Sequence, residues 1–389
     1  MTVFDDLVGQ TRLVRLLVGA VTGADAALRG EPGSAMTHAW LFTGPPGSGR
    51  SNAATAFAAA LLCEQQGCGE CLSCRTALAG SHADVTRVVT DQSVIRVDAI
   101  RELVRHAALA PAGRRWQVLI VEDADRLTDQ AADALLKSVE EPPDRTVWLL
   151  CAPTVEDVVP TIRSRCRTLV LRTPTAQAVT EHLVGGLDVP EEVAAFAARA
   201  SQGHIGRARA LALDETSRTR RRDVLRVPSQ LSDLGSCLVS AANLVDSATE
   251  EAKPRIEALD AREVESLETA YGVGTKGIRP SGYAPALKEL QRDQRQRAKR
   301  MVRDALDRAL LDLASFYRDV TTQQLGSETV LINEEMRTEV DAMARRTTGA
   351  GSIGRIGAIF AAREALVGEV APLLVMESLM ISLVGSPSV

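Results

Sequence analysis

The chain has 389 residues, 45% of them hydrophobic, 24% charged and 3% aromatic, with a formal net charge of −5. That length exceeds one ordinary core, so two or three domains are expected. The scarcity of aromatics excludes base-stacking platforms for single strands, and the acidic balance excludes a surface basic enough throughout to coat nucleic acid, while local basic patches stay allowed.

The opening "MTVFDDLVGQ" is acidic and lacks the apolar centre of a signal peptide. The longest small-apolar run, "AATAFAAALLC" (53–63), is too short to span a bilayer. A cytoplasmic chain without membrane attachment is the expectation. The apolar "HAWLF" (38–42) then feeds directly into "GPPGSGRS" (44–51), and the alanine-rich stretch that follows predicts a helix. Strand, glycine loop and helix in that order give a phosphate-loop match its meaning. Gly44, Gly47 and Gly49 let backbone N–H groups face phosphate oxygens, and Ser51 stands where a hydroxyl would ligate Mg²⁺. The pattern wants lysine in the seventh place, and this chain has Arg50. A planar, longer, bidentate guanidinium does not fill the place of a compact ammonium. Phosphate binding can survive on the backbone cradle, but catalysis is more exposed, since a misplacement of about 1 Å costs on the order of a hundredfold in rate. The residues allow either a retained nucleotide or a bare Gly/Pro turn.

Four of the seven cysteines crowd together as Cys63-x4-Cys68-x2-Cys71-x2-Cys74. Zn²⁺ takes four soft ligands at tetrahedral corners, and C-x2-C pairs close such corners. With four protein ligands no position stays open, so the site reads as structural. Four free thiols are the plain alternative, and an iron–sulfur cluster a lesser one, because the spacing departs from the ferredoxin patterns.

"ADVTRVV" (83–89) predicts a strand, and "VIRVDAIRELVRHAAL" (94–109) carries its apolar residues at helical spacing. "WQVLIV" (116–121) is a continuous apolar run of buried-strand type that ends in Glu122 and Asp123. Hydrolytic motors of this kind place Asp first, for the Mg²⁺ shell, and Glu second, for the attacking water. Here the order is reversed, which displaces each carboxylate by about one methylene. An acidic turn without metal is the alternative. A helix over "TDQAADALLKSVEE" stops at Pro142-Pro143; "TVWLLCA" (146–152) and "TLVLRT" (168–173) predict two further strands. The alternation implies an α/β core, a parallel sheet with helices on both faces, over residues 1–173.

Beyond Thr173 three short helices with Gly and Pro breaks form a small helical lid over 174–213, and 214–389 reads as all-helical, with Leu306, Leu310, Leu313, Tyr317 and Val320 on one stripe. Residues 246–268 carry eight acidic and three basic side chains, "YGVGTKGIRPSGYAP" (271–285) is rich in Gly and Pro, and 287–303 carries seven basic against two acidic residues. The stretch 246–300 is expected to be a flexible charged insertion; a solvated helix face with a mobile loop competes there with a basic strip facing DNA or a partner.

Taken together these residues resemble the bacterial clamp loaders, AAA+ machines that open a ring clamp and close it around primed DNA. "FDDLVGQ" (4–10) is similar to their adenine-side box, the cysteine knuckle to their inserted module, and "LTDQAADALLKSVEEPP" followed by "TIRSRC" to their signature. The motifs cover residues 1–210; the C-terminal helices correspond to the family's collar, an oligomerisation domain, by order and length alone. The resemblance implies an AAA+ fold, ATP with Mg²⁺ as the family's cofactors, and Arg165 of Ser-Arg-Cys as a finger reaching into a neighbouring subunit's ATP site. The weakened loop resembles the delta-prime type of DNA polymerase III loader subunit rather than the hydrolytic gamma/tau type. Delta and gamma/tau subunits in a hetero-pentamer, the sliding clamp, and primer-template DNA through the assembly are then the implied partners. Departures remain. Ala152-Pro153-Thr154 gives no clear sensor-1 residue, and Gly206 stands where the sensor-2 arginine is sought, leaving Arg207 or Arg209.

Overall fold

The structure is a computed structural model that describes residues 2–31, 35–89, 94–113, 115–273, 282–368 and 370–384. Two compact units form, Met1–Leu213 and Asp214–Val389. In the first, helix α1 (Thr11–Leu28) leads to strand β1 (Ala39–Thr43), helix α2 (Arg50–Leu62), the short α3 (Leu72–Leu78), β2 (Val85–Val88), α4 (Val97–Ala107), β3 (Gln117–Val121), α5 (Asp129–Glu140), β4 (Thr146–Ala152), α6 (Pro160–Arg163) and β5 (Arg167–Val170). The strands pair in parallel in the order β2-β3-β4-β1-β5.

This order follows from burial. β1, β3 and β4 are apolar on both faces and occupy the middle, where every residue is buried. β2 and β5 keep exposed residues and lie at the edges. Because side chains alternate across a strand, Trp40 and Phe42 enter one face with Leu17, Phe57 and Leu61, while Leu41 and Trp148 enter the other with Ile100, Leu103 and Leu135. The alanines of α2 explain its place. Small side chains let it lie close to both sheet and neighbours, and Ala53 through Leu62 are buried apart from Thr55. Helices α7 (Ala176–Leu187), α8 (Glu191–Ser201) and α9 (Ile205–Leu213) build their own small core from Val179, Leu183, Ala194, Ala197 and Leu211.

The second unit consists, among the described residues, of helices: α10 (Glu215–Gln230), α11 (Leu234–Tyr271), α12 (Tyr283–Gln324), α13 (Arg337–Arg346), α14 (Gly349–Val367) and α15 (Pro372–Val384). Leu306, Leu310, Leu313, Tyr317 and Val320 all lie inside it. A buried polar network runs beside them. Arg221, 4% exposed, reaches Asp312 at 3.0 Å and also bonds Asn333 and Glu335; Asp319, fully buried, accepts the Asn333 amide at 2.7 Å.

The expectation of a flexible insertion over 246–300 is corrected for the described residues. Residues 246–271 and 283–300 belong to two long helices, and the stretch 274–281 lies outside the described residues. The charges that suggested flexibility hold the hairpin together. Arg297 on α12 bridges Asp260 and Glu263 on α11, Arg308 meets Glu251 at 2.6 Å, and Gln294 donates to the Asp260 carbonyl at 3.2 Å. Acid on one helix opposite base on the next becomes pairing rather than repulsion. No helix among the described residues is long and apolar enough to cross a membrane.

Candidate functional site

The phosphate loop closes the end of β1. The Gly44 amide donates to the Pro153 carbonyl beyond β4 at 3.0 Å, and Ser48 N donates to Pro45 O at 3.1 Å. Gly49 adopts φ +91° as the N-cap of α2 and supplies no side-chain cap, so the first-turn amides of α2 face the loop's hollow. A Cβ on Gly47 would fall 2.3 Å from Cγ of His204. The lid's His204 ring therefore lies across the loop, and its Nδ1 accepts the Arg207 amide at 3.2 Å. Two side chains near the hollow carry buried polar atoms with no hydrogen-bond partner: Ser48 Oγ and Arg50 Nη1. A glycine-lined cradle with unmatched donors fits the phosphates of a nucleotide.

The metal side of the loop is different. Ser51 Oγ donates to Glu122 Oε2 at 2.9 Å, and Glu122 Oε1 forms an ion pair with Arg87 of β2, although no N–H is aligned on it as a hydrogen bond. The Glu122 side chain is 12% exposed. Mg²⁺ demands near-ideal octahedral oxygen ligands and keeps several waters. Here the carboxylate that would face it is already paired with a guanidinium, while the Ser51 hydroxyl gives that carboxylate its proton and keeps its oxygen lone pairs. The residues as arranged do not fit Mg²⁺. Asp123 is half-buried, and its carbonyl closes the turn at Arg126. Burial, then the Glu122 charge, pushes the neighbouring Cys151 thiol up to about 12, which makes it a neutral packing group. Burial does the same to Cys166.

Arg165 lies after α6 on the surface. It pairs with Glu140 at the end of α5 and donates from Nη1 to Thr161 O at 2.8 Å and Ser164 Oγ at 3.2 Å. Thr154, in the sensor-1 region, is engaged by Asp157, whose carboxylate accepts the Thr154 amide at 2.9 Å. On α9 Arg207 is half-buried, while Arg209 and Gly206 are exposed.

The four cysteines converge, with all Sγ atoms within 4.8 Å of one another. Cys63 Sγ stands 3.7 Å from both Cys68 and Cys71 Sγ. Metal–sulfur bonds of about 2.3 Å in a tetrahedron set sulfurs about 3.8 Å apart. Backbone amides of Gln65, Cys71 and Cys74 donate to Sγ of Cys63, Cys68 and Cys71 at 3.3–3.4 Å. Such N–H···S bonds orient thiolates and offset their charge. Burial opposes ionisation of Cys63, but amides of Cys68, Gly67 and Gln65 outweigh it and hold this thiol down at about 6. Burial pushes Cys71 and Cys74 up instead. The donor set, free of disulfides, fits one soft cation. The knuckle is seated by Val3 N, which donates to Gly67 O at 3.0 Å, and by Gln66, whose amide donates to Asp25 at 3.0 Å.

Residues 32–175, which include the phosphate loop, the four cysteines, Glu122 and Arg165, match a family described as DNA polymerase III, delta subunit. The DNA polymerase III subunit delta′ of Pseudomonas aeruginosa is 40% identical over 163 residues, 40% of this chain and 49% of that protein. The Escherichia coli subunit delta′ is 36% identical over 184 residues, 45% and 54%. The subunit tau of Bacillus subtilis is 30% identical over 240 residues, 60% and 41%. Both the family model and these relatives are of DNA polymerase III clamp-loader subunits, and together they support a clamp-loader relationship over the matched residues. It spans about half the length of the curated relatives it matches.

Four contributors to the site are not singled out by the motifs, although two of them lie within one. Arg87 is a lone cation in the β-branched "VTRV", and that contrast was its only signal. Glu140 sits in "VEEPP" with nothing to distinguish it from Glu141. His204 follows Gln202 and Gly203, the turn after α8 ends at Ser201, a position that reads as a cap. Gln10 closes the opening box: its side chain donates to Arg172 O at 2.6 Å and accepts the Arg172 amide at 3.3 Å.

Proposed function

We propose that this chain is a delta-prime-type subunit of a bacterial DNA polymerase III clamp loader, a cytoplasmic replication component that hydrolyses little or no ATP itself. The observation that carries this reading is the pairing of Glu122 with Arg87 and Ser51, which occupies the groups a hydrolytic centre would turn toward Mg²⁺ and water. Arg50 in place of lysine points the same way. Arg165 would serve in trans. Its guanidinium is 39% exposed and held by a surface carboxylate, and such pairs are worth little, about 0–1 kcal/mol. A phosphate's greater charge would draw it away, and a guanidinium is suited to the charge that develops on a transferring phosphoryl group. The four cysteines would hold one structural Zn²⁺ and thereby seat the N-terminal segment. The helical second unit would join delta and gamma/tau subunits in a hetero-pentamer, and through it meet the sliding clamp and primer-template DNA. Consistent with an assembling surface, α14 exposes Ile353, Phe360 and Val367 at seven-residue spacing.

The hydrolytic gamma/tau reading draws support from the tau relative, which aligns with more of the chain than either delta′ protein. ATP turnover by the purified chain decides between them. Turnover at the rate of the assembled loader would favour the gamma/tau reading; its absence, with turnover restored on adding partner subunits and lost in Arg165→Ala, would favour delta-prime.

A further inference from the structure

We infer that the phosphate loop of this chain binds the diphosphate of a nucleotide without a divalent cation, Arg87 taking the cation's place against Glu122. The inference concerns the chain's own loop and does not depend on the role of Arg165.

The loop leaves donors unmatched at one place and, at another, a carboxylate oxygen, Glu122 Oε1, that meets the Arg87 charge without a hydrogen bond. On the side where phosphate would sit, Ser48 is 5% exposed and its Oγ has no partner, Arg50 Nη1 is buried with none, and the first turn of α2 has no side-chain cap. Buried donors without partners are costly to leave so, about 1–3 kcal/mol for each neutral group, and an anion satisfies all of them together. On the side where Mg²⁺ would sit, Ser51 donates its hydroxyl proton to Glu122 and keeps its oxygen lone pairs, but the Glu122 charge is already neutralised by Arg87. In a P-loop enzyme the cation has two electrostatic tasks: it offsets the carboxylate at the end of the strand, and it offsets phosphate charge. Arg87 already performs the first, since a guanidinium carries a permanent positive charge. Arg50 Nη1, without a hydrogen-bond partner, is available for the second. Mg²⁺ entering this site would have to displace the guanidinium already paired with Glu122, so it adds no net attraction for the ligand.

The edge position of β2 makes the substitution possible. Arg87 lies on an outer strand and keeps its side chain 39% exposed, so it reaches Glu122 from the rim of the sheet without itself being buried. Each partner therefore avoids the cost of a charge desolvated alone.

The test is ADP binding to the full chain by calorimetry, in buffer freed of divalent cations over a chelating resin and again with Mg²⁺ added. A dissolved chelator is avoided so that metal at the cysteines stays in place. The expected result for the natural chain is the same affinity, within about threefold, in both buffers. Arg87→Ala should lose about tenfold in the metal-free buffer and recover it with Mg²⁺, because Glu122 and Ser51 are then released to a cation. Arg87→Lys, which keeps a positive charge beside Glu122, should stay close to the natural chain without metal. Affinity of the natural chain that rises tenfold or more with Mg²⁺ overturns the inference. So does failure of ADP to bind in either buffer, or a folded Arg87→Ala chain that binds as tightly as the natural one without metal. If Arg87→Ala does not fold, the natural chain and Arg87→Lys still decide the matter.

Discussion

Glu140, at the end of α5, and Arg165, just after α6, form an ion pair on the surface, their side chains 42% and 39% exposed. The signature "SVEEPP" and the downstream "SRC" thus meet in space although twenty-five positions separate the two residues. The pair keeps a charged side chain in one orientation without burying it. Arg165→Ala is expected to change the stability of the isolated chain by less than about 1 kcal/mol. In the assembled loader it should cut ATP hydrolysis by about 10³-fold or more, as loss of an arginine finger does. Steady-state turnover and gel filtration of the mutant assembly check this together. Loss of assembly would give Arg165 a structural role instead.

Lysine in place of Arg50 is not expected to create an ATPase. Arg50→Lys restores the loop's letter, but Glu122 remains paired with Arg87 and Ser51. Single-turnover assays with the purified variant should show hydrolysis indistinguishable from the natural chain. A clear gain would mean that position 50 alone had silenced the site.

One zinc per chain is expected by elemental analysis, and a thiol-reactive reagent should release it. Cys71→Ser removes a ligand whose sulfur also caps α3, where it accepts the Cys74 amide. It should lower the unfolding temperature and leave the metal weakly held, since metal-binding free energy is folding free energy. A chain purified without metal, and melting as before after the substitution, would contradict the tetrathiolate reading.

In the second unit, Arg221→Ala is expected to cost about 3–5 kcal/mol, because it strands Asp312, Glu335 and Asn333 around a vacated buried charge. Denaturant unfolding measures it. A loss below about 1 kcal/mol would mean that water enters and replaces the guanidinium.

Acid should loosen the α11–α12 hairpin. Bonding to Arg297, which outweighs the opposing effect of burial, holds the Glu263 carboxyl below its ordinary range. A depressed folded value gives stability that is fully present above the unfolded carboxylate value of about 4.3 and lost as pH falls through the lower folded one. Hydrogen exchange of α11 should therefore rise in that window. Glu263→Gln should abolish the acid step, and a step of unchanged size would place its origin elsewhere.

The sheet was legible because its central strands are apolar on both faces, a pattern that solvent-exposed segments cannot imitate. The cysteine knuckle was legible because four soft ligands within twelve residues have few other uses. The charged stretch after 246 was misjudged for a definite reason. Sequence displays acid and base in separate blocks, whereas the hairpin sets them face to face, and only the fold turns excess charge into partnership. Arg87 escaped for a related reason: nothing local says that the end of an edge strand lies beside Glu122.

The opening segment ties two distant events together. It starts at the knuckle, where Val3 bonds Gly67, and finishes where Gln10 clasps Arg172, just before the first lid helix. Any shift of Gly67 reaches Val3 at one end of a short tether whose other end bonds Arg172 at the lid's root. Cysteine seat and lid root thus share one strap eight residues long.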